Sequence, residues 1–221
     1  IRLSLVGSEM CIRDSHNTIW RYENEFLPAV KNDLQGRAKD CKEEIEFVMA
    51  RKEDCSRLVD LIEKGELPIR VTHNDTKLNN VIFDEKTDDA ICVIDLDTVM
   101  PGLALYDFGD SIRFGANTCA EDEPDTSRIA INLDYFKAYA EGFLSEAGES
   151  FTQCEIDNLA FSAKLMTFEC GMRFLTDYLN GDTYFKTAYP EHNIVRARSQ
   201  FALVKDMESK MSEMEEIIKN I

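Results

Sequence analysis

Apolar positions recur along most of this chain at helical spacing. Cys41, Ile45, Val48, Cys55, Leu58 and Ile62 follow three- and four-residue steps with one longer gap. That pattern predicts one long amphipathic helix, closed at Gly65 as a C-cap. Ile129, Leu133, Phe136, Ala140 and Phe143 mark another, closed near Gly148. Thr152-Gln153-Cys154-Glu155 reads as a capping box opening a helix that reaches Leu179, ended by Asn180-Gly181. A last helix is expected from about Asn193 to Lys219, with Ala197, Phe201, Val204, Met207, Met211, Met214 and Ile218 on one stripe. Its period nears 3.5, and packing on the same lobe is the preferred reading over helical dimerisation. Trp20 to Leu34 predicts a short helix or helical hairpin, and Leu105 to Phe114 another short helix. The exception to helical spacing is central. Val81-Ile82-Phe83 and Ala90-Ile91-Cys92-Val93-Ile94 flank a polar turn from Asp84 to Asp89, which predicts a β-hairpin. Pro101-Gly102 is expected to break the chain after it, and Glu121 to Asp125 to form an acidic loop around Pro124. One small hairpin among some six helices makes the fold class α+β, mainly helical.

The chemistry is concentrated at the two ends of that hairpin. His73-Asn74-Asp75-Thr76-Lys77-Leu78-Asn79-Asn80 precedes it, and Asp95 closes it. The stretch supplies an Asp able to orient or deprotonate a hydroxyl and a Lys able to meet phosphate charge. It also supplies an Asn and an Asp able to hold Mg²⁺, which completes the polar half of a phosphoryl-transfer site. The turn lies midway between Asn80 and Asp95, so antiparallel pairing should set them side by side, as a hard cation requires of its oxygen ligands. His73 reads as structural. Asp107 and Asp110 read as carboxylates bonded to backbone amides of the 73–80 loop. Arg173 sits in the otherwise apolar run Met172-Arg173-Phe174-Leu175. It must line a cleft or pair internally with Glu169 or Asp177, both at helical i±4 spacing. Arg113, Arg196 and Arg198 read as structural.

The pattern His-x-Asp-x-Lys-x-x-Asn, then a hairpin and an Asp, resembles the catalytic and metal-binding segments of the protein-kinase-like fold. Extended through Tyr106-Asp107-Phe108-Gly109-Asp110, it resembles the aminoglycoside phosphotransferase family. A narrower likeness, to bacterial N-acetylhexosamine 1-kinases, is carried by three passages: Thr72 to Lys77, Val93 to Gly102 and Glu169 to Leu179. The resemblance runs from about Asn17 to the C-terminus. It implies a kinase-like C-terminal lobe with the small catalytic hairpin, the N-terminal lobe being absent, since no Gly-rich phosphate loop or strand Lys precedes the hairpin. It implies ATP and Mg²⁺ as cofactors and a sugar hydroxyl as acceptor, N-acetylhexosamine at the anomeric position. Asp75 would be the catalytic base, Lys77 a phosphate-facing cation, and Asn80 and Asp95 the ligands for Mg²⁺-nucleotide, with Asp97 as an outer or second-metal group. Asp75, Arg173 and Tyr184 would meet the substrate. Two departures stand out. Asn74 replaces a common Gly, and Asp95 is followed by Leu96-Asp97 instead of Phe-Gly, so no switch attached to that motif carries over.

Composition narrows the surroundings. A formal charge of −17 opposes nucleic acid and anionic membrane surfaces. No apolar run approaches the ~20 residues of a membrane span. Seven scattered cysteines without a Cys-x-x-Cys pair suit reduced thiols in a cytoplasmic protein and argue against zinc. Residues 1–15 fit the rest poorly and read as a non-native, adapter-derived segment, leaving 16–221 as the phosphotransferase lobe. Isolated in this form, the lobe is expected to be inert. The rival readings are an aminoglycoside, choline or homoserine acceptor on the same fold, a kinase-like binding module without catalysis, and a metal-dependent hydrolase built on the Asp cluster. Sequence leaves the oligomeric state open.

Overall fold

The computed structural model describes residues 16–221; the expectation for residues 1–15 lies outside them. Helix α1 (Thr18–Arg21) is capped by Asn17, whose side chain accepts from the Trp20 amide. It continues through a π-helical turn (Tyr22–Phe26) into α2 (Leu27–Asn32), which Asp33 ends in a left-handed conformation. The long helix expected from Cys41 to Gly65 is two, α3 (Lys42–Met49) and α4 (Lys52–Glu63). The break falls at Ala50-Arg51 for a tertiary reason. The Arg51 guanidinium forks onto Glu208 at 2.9 and 2.7 Å and lies 3.4 Å from the Phe47 ring centroid. Gly65 closes α4 as expected, at φ +74°, with its own amide bonded to Ile62 and that of Glu66 to Leu61.

Two antiparallel pairs follow. Strands β2 (Val81–Phe83) and β3 (Ala90–Val93) form the expected hairpin, with Val81 opposite Val93 and Ile82 opposite Cys92. A second pair joins β1 (Arg70–Thr72) to β4 (Met100–Gly102). This corrects the expectation of a single hairpin and of a chain break at Pro101-Gly102. Pro101 fits because a two-stranded ribbon is all edge, where a missing N–H is tolerated. The β1–β4 pair brings the start of the 73–80 loop beside the chain that follows Asp95.

The remainder is helical: α5 (Ala104–Gly115), α6 (Leu133–Ala147), α7 (Gln153–Asp157), α8 (Leu159–Asn180), α9 (His192–Ser209) and α10 (Met211–Lys219). The capping box forms: the Glu155 amide donates to Thr152 Oγ1 at 3.2 Å, and the Thr152 amide to Glu155 Oε2 at 2.8 Å. The helix it opens breaks at Asn158, whose side chain donates to the Cys154 carbonyl and accepts from Arg57. Gly181, at φ +97°, ends α8 as expected. The final helix breaks at Lys210, whose ammonium reaches Asp206 and the Ile131 carbonyl.

Helix α8 is the axis of the core. Leu165, Phe168, Met172 and Leu175 on α8, Phe108 on α5, and Leu203 and Val204 on α9 are all but inaccessible to solvent. Each such large side chain contributes about 1.5–3 kcal/mol on burial. The apolar stripe of the last two helices, including Ala197, Phe201, Met207 and Met214, faces this core, as the same-lobe reading required. Helices α5 and α8 cross closely at Gly109. A Cβ there would meet the Ser162 carbonyl and lie 2.7 Å from Met166 Cγ. That close crossing fixes where α5 holds the 73–80 loop relative to Glu169 and Arg173 on α8.

Candidate active site

The 73–80 loop is fixed from α5. Asp107 accepts the backbone amides of His73 at 2.8 Å and Asn74 at 2.7 Å, as expected of it. Burial raises its carboxyl above the ordinary Asp value, and the two amides offset this only in part. Thr76 Oγ1 donates to the Asp107 carbonyl, and Ser111 to the Thr76 carbonyl. Asp110 departs from expectation: its bonds go to Arg113, not to the loop. Asn74 sits at φ +63°, a conformation for which Gly and Asn are suited. That explains why Asn serves where Gly is common. Its side chain accepts from Thr72 at the end of β1 and donates to the carbonyl of Thr98 in the turn that precedes β4. His73 is structural, with Nε2 on the Ile94 carbonyl at 3.1 Å and Nδ1 accepting the Asp75 amide at 3.3 Å.

Asp75 is half-buried at the tip of this scaffold. Its Oδ2 accepts from Lys77 Nζ at 2.7 Å and from Asn80 Nδ2 at 2.8 Å. Burial alone would raise its carboxyl. The bonds to Lys77 and Asn80 outweigh burial and hold it below the ordinary value, so it is ionised at neutral pH. Lys77, expected to face phosphate, forms an ion pair with Asp75. The Asn80 amide nitrogen also reaches the Asp75 carbonyl at 2.8 Å, leaving its Oδ1 as the oxygen a cation would take.

The hairpin register differs from expectation by one residue. The Ile94 amide donates to the Asn80 carbonyl at 2.9 Å, so Asn80 stands opposite Ile94, and Asp95 lies one position beyond. The register shift next to Phe83 moves the pairing one residue toward Asp95 and leaves it one residue short. Asp95 adopts φ +61°, and Asp97 follows in a single 3₁₀ turn; both carboxylates are exposed. An amide oxygen and carboxylates are hard donors, so Asn80, Asp95 and Asp97 are of the donor type the expected Mg²⁺ would take. Among the described residues no group of three or more His, Cys, Asp or Glu forms a metal cluster.

On the other side of Asp75 opens a cavity of about 480 Å³, walled by Asp75, Lys77, Arg173, Tyr184, Lys186 and Arg196 among others. Asp75, Lys77, Arg173 and Tyr184 are thus brought together. Asn80, Asp95 and Asp97 lie outside this cavity, at the hairpin end of the loop. The internal ion pair considered for Arg173 does not form. Glu169 is taken by His16, Thr18 and Arg21, and Asp177 by the amides of Thr183, Tyr184 and Phe185 and by Asn193. Arg173 lies instead 5.5 Å from the Phe185 ring centroid and 5.9 Å from that of Tyr184. Every acid of the lining has a cation: Asp75 has Lys77, Asp110 and Glu121 have Arg113, Glu169 has His16. Arg173 and Lys186 have no ion pair among the described residues, so the cavity leans positive in a chain of charge −17.

The sequence reading did not single out Lys186, His16 or the buried pairing of Glu169. Glu169 carries a signal of its own, a carboxylate in an apolar helix that must have a partner. His16 and Lys186 carry none. The six described cysteines are unpaired, and no described helix is long and apolar enough to cross a membrane.

Over 143 residues the chain is 25% identical to an ethanolamine kinase of Drosophila melanogaster. That alignment covers 62% of this chain and 27% of the relative, so the chain spans about a quarter of that protein's length. Residues 11–146 match the phosphotransferase enzyme family, APH. This is more than half of the chain and takes in the 73–80 loop, the hairpin and Asp107; the chain belongs to the phosphotransferase enzyme family.

Proposed function

We propose that this chain carries the acceptor and metal-binding half of an ATP-dependent small-molecule kinase. Its acceptor is a neutral sugar hydroxyl, that of an N-acetylhexosamine at the anomeric position. The observation that carries the reading is Asp75, ionised between the cation-lined cavity and the oxygen donors at the hairpin end. Asp75 accepts the acceptor's hydroxyl proton as the new O–P bond forms and the bond to the leaving diphosphate breaks. Because the transition state is largely dissociative, the base needs position more than strength. A lowered carboxyl suits that role. Lys77, released from Asp75 when the acceptor enters, is placed to meet phosphate charge. Asn80, Asp95 and Asp97 would hold Mg²⁺, which neutralises charge on the transferred phosphoryl group.

The ethanolamine kinase relative favours a second acceptor, a cationic amino alcohol. Charge speaks against it here. Arg173 and Lys186 line the cavity without a salt bridge among the described residues and disfavour an ammonium there. A neutral ring can instead receive hydrogen bonds from Arg173 and rest on Tyr184.

Ligand-observed saturation-transfer NMR separates the two readings without requiring turnover. N-acetylglucosamine or N-acetylgalactosamine should receive saturation from the wild type, lose it in Arg173→Ala, and be undisturbed by excess ethanolamine. Ethanolamine or choline binding, with no response from either sugar, overturns the sugar reading and leaves the kinase reading standing.

A further inference from the structure

His16 lies in the segment leading into α1, is buried, and borders the cavity beside Asp75. Its two ring nitrogens have partners of one kind. Nδ1 is 2.9 Å from Glu169 Oε1, and Nε2 is 3.0 Å from the backbone carbonyl of Asn74. A carbonyl oxygen can only accept. Glu169 is an ionised acceptor too, since Thr18 donates to its other oxygen at 2.6 Å and Arg21 lies 3.6 Å from Oε1. A neutral imidazole has one N–H and cannot serve two acceptors.

The other two histidines make the contrast. His73 Nδ1 accepts the Asp75 amide, and His192 Nδ1 accepts the Ala188 amide, so each fits the neutral form with its proton on Nε2. Among the three, only His16 has an arrangement that demands two protons.

We infer that His16 is a positioning residue, held as an imidazolium that ties Glu169 of α8 to the Asn74 carbonyl and so fixes the loop that presents Asp75. The inference rests on the reading of Asp75 as the base. The bond completes the fastening of Asn74. Its amide goes to Asp107, its side chain to Thr72 and Thr98, and its carbonyl to His16. The next residue is Asp75. The loop is therefore pinned from α5 on one side and from α8, through His16, on the other.

The charges around the ring support this state. Burial opposes the imidazolium, but Glu169 on α8 and Asp110 on α5 favour it against Arg173 on α8, and the net effect is a raised value. Arg21 of α1 approaches the same Glu169 oxygen, at 3.6 Å. Asp107 also feels the imidazole's charge, and the Tyr106 ring of α5 stands 5.4 Å from its centroid. Cys55 of α4 has its thiol pushed up to about 12, mainly by burial, and stays neutral; Glu63 of α4 shares a cavity with His16. Loss of the proton would leave a lone pair facing the Asn74 carbonyl or Glu169, and the loop would lose its tie to α8 as pH rises.

Long-range ¹H–¹⁵N spectra of the three histidines test the charge state directly in this chain. At pH 7.5 both His16 nitrogens should show imidazolium shifts. The amides of Asn74 and Asp75 should shift together with His16 when it finally titrates. A neutral His16 at pH 7.5, or loop amides indifferent to its titration, overturns the proposal. In the full-length protein, His16→Gln keeps one donor and should lower kcat roughly tenfold, with acceptor KM nearly unchanged and the alkaline limb of the pH profile flattened. A variant with the wild-type profile also overturns it. An imidazolium His16 beside an Asp75→Asn variant of normal turnover would sink the base assignment alone. A neutral His16 beside an inactive Asp75→Asn would sink the clamp alone.

Discussion

Two glycine-to-alanine substitutions should change stability in opposite directions. Gly142 lies on α6 with nothing within 4 Å of where a Cβ would be. Alanine there gains helix propensity, about 0.8–1.0 kcal/mol, with no steric penalty. Gly109 lies on α5 where α8 crosses, and its added Cβ would meet Met166 Cγ at 2.7 Å, the Ser162 carbonyl carbon at 2.8 Å and the Ser162 oxygen closer still. Met166 can turn aside, but the Ser162 backbone cannot. Restoring ordinary contact at 3.5 Å or more requires the helices to part by roughly 0.5–1 Å. Overpacking a core costs about 1–3 kcal/mol, and a backbone obstacle puts this site at the upper end. The penalty therefore beats the propensity gain and leaves Gly109→Ala about 2 kcal/mol less stable than wild type. The two variants should differ by about 3 kcal/mol. With a urea m-value of about 2–3 kcal/mol/M, that is a separation near 1 M in midpoint at unchanged slope, readable by circular dichroism. Equal midpoints, or a more stable Gly109→Ala, would refute the close crossing on which the placement of Asp75 relative to Arg173 depends.

Other substitutions probe separate parts of the account. Thr152→Ala removes the capping-box acceptor for the Glu155 amide and should lower stability by about 1 kcal/mol in the same urea assay. Asp107→Asn presents an amide N–H₂ to one of two backbone donors, so the His73 and Asn74 amides should lose hydrogen-exchange protection while the α8 core keeps its own. The Glu169 carboxyl is held at about 2, burial being outweighed by His16 and Arg21. Its folded value lies below its unfolded one, so the stability it contributes is present above about pH 4.5 and lost as pH falls toward 2. His16 has the opposite sign. Its raised folded value gives stability that is full below its unfolded value of 6.5 and disappears as pH rises through the folded one. Thermal melts of wild type and His16→Gln should therefore converge at alkaline pH, and a gap constant across pH would contradict the assignment.

How much of this could be read in the chain follows from which signals are local. The capping box at Thr152, the glycine stops at Gly65 and Gly181 and the hairpin between Asn80 and Asp95 are written in adjacent residues, and each formed. The helix breaks at Arg51, Asn158 and Lys210 contain neither Gly nor Pro and sit inside continuing apolar periodicity. Their cause is an Arg51–Glu208 fork, an Asn158–Arg57 bond and a Lys210 reach to Ile131, partners visible only once the chain has folded. The β1–β4 pair has strands of three residues, too short for an alternation signal, with partners thirty positions apart. In the site, Asp75, Asn80 and Asp95 could be picked out as candidates because they lie on or beside one hairpin, whose register the turn alone did not give. The positive lean of the cavity beside Asp75 could not be read. It depends on which acids find partners, and Glu169 and Asp177 are diverted from Arg173 by His16 and by the 183–185 amides.

The central claim is that Asp75 takes the acceptor's proton. Transfer of radiolabelled γ-phosphate from Mg-ATP to N-acetylglucosamine by the full-length protein, wild type against Asp75→Asn, tests it most directly. A positioned base contributes about 10²–10⁴-fold, so turnover should fall by that factor while acceptor binding is retained. Turnover in Asp75→Asn within a few-fold of wild type would contradict the account.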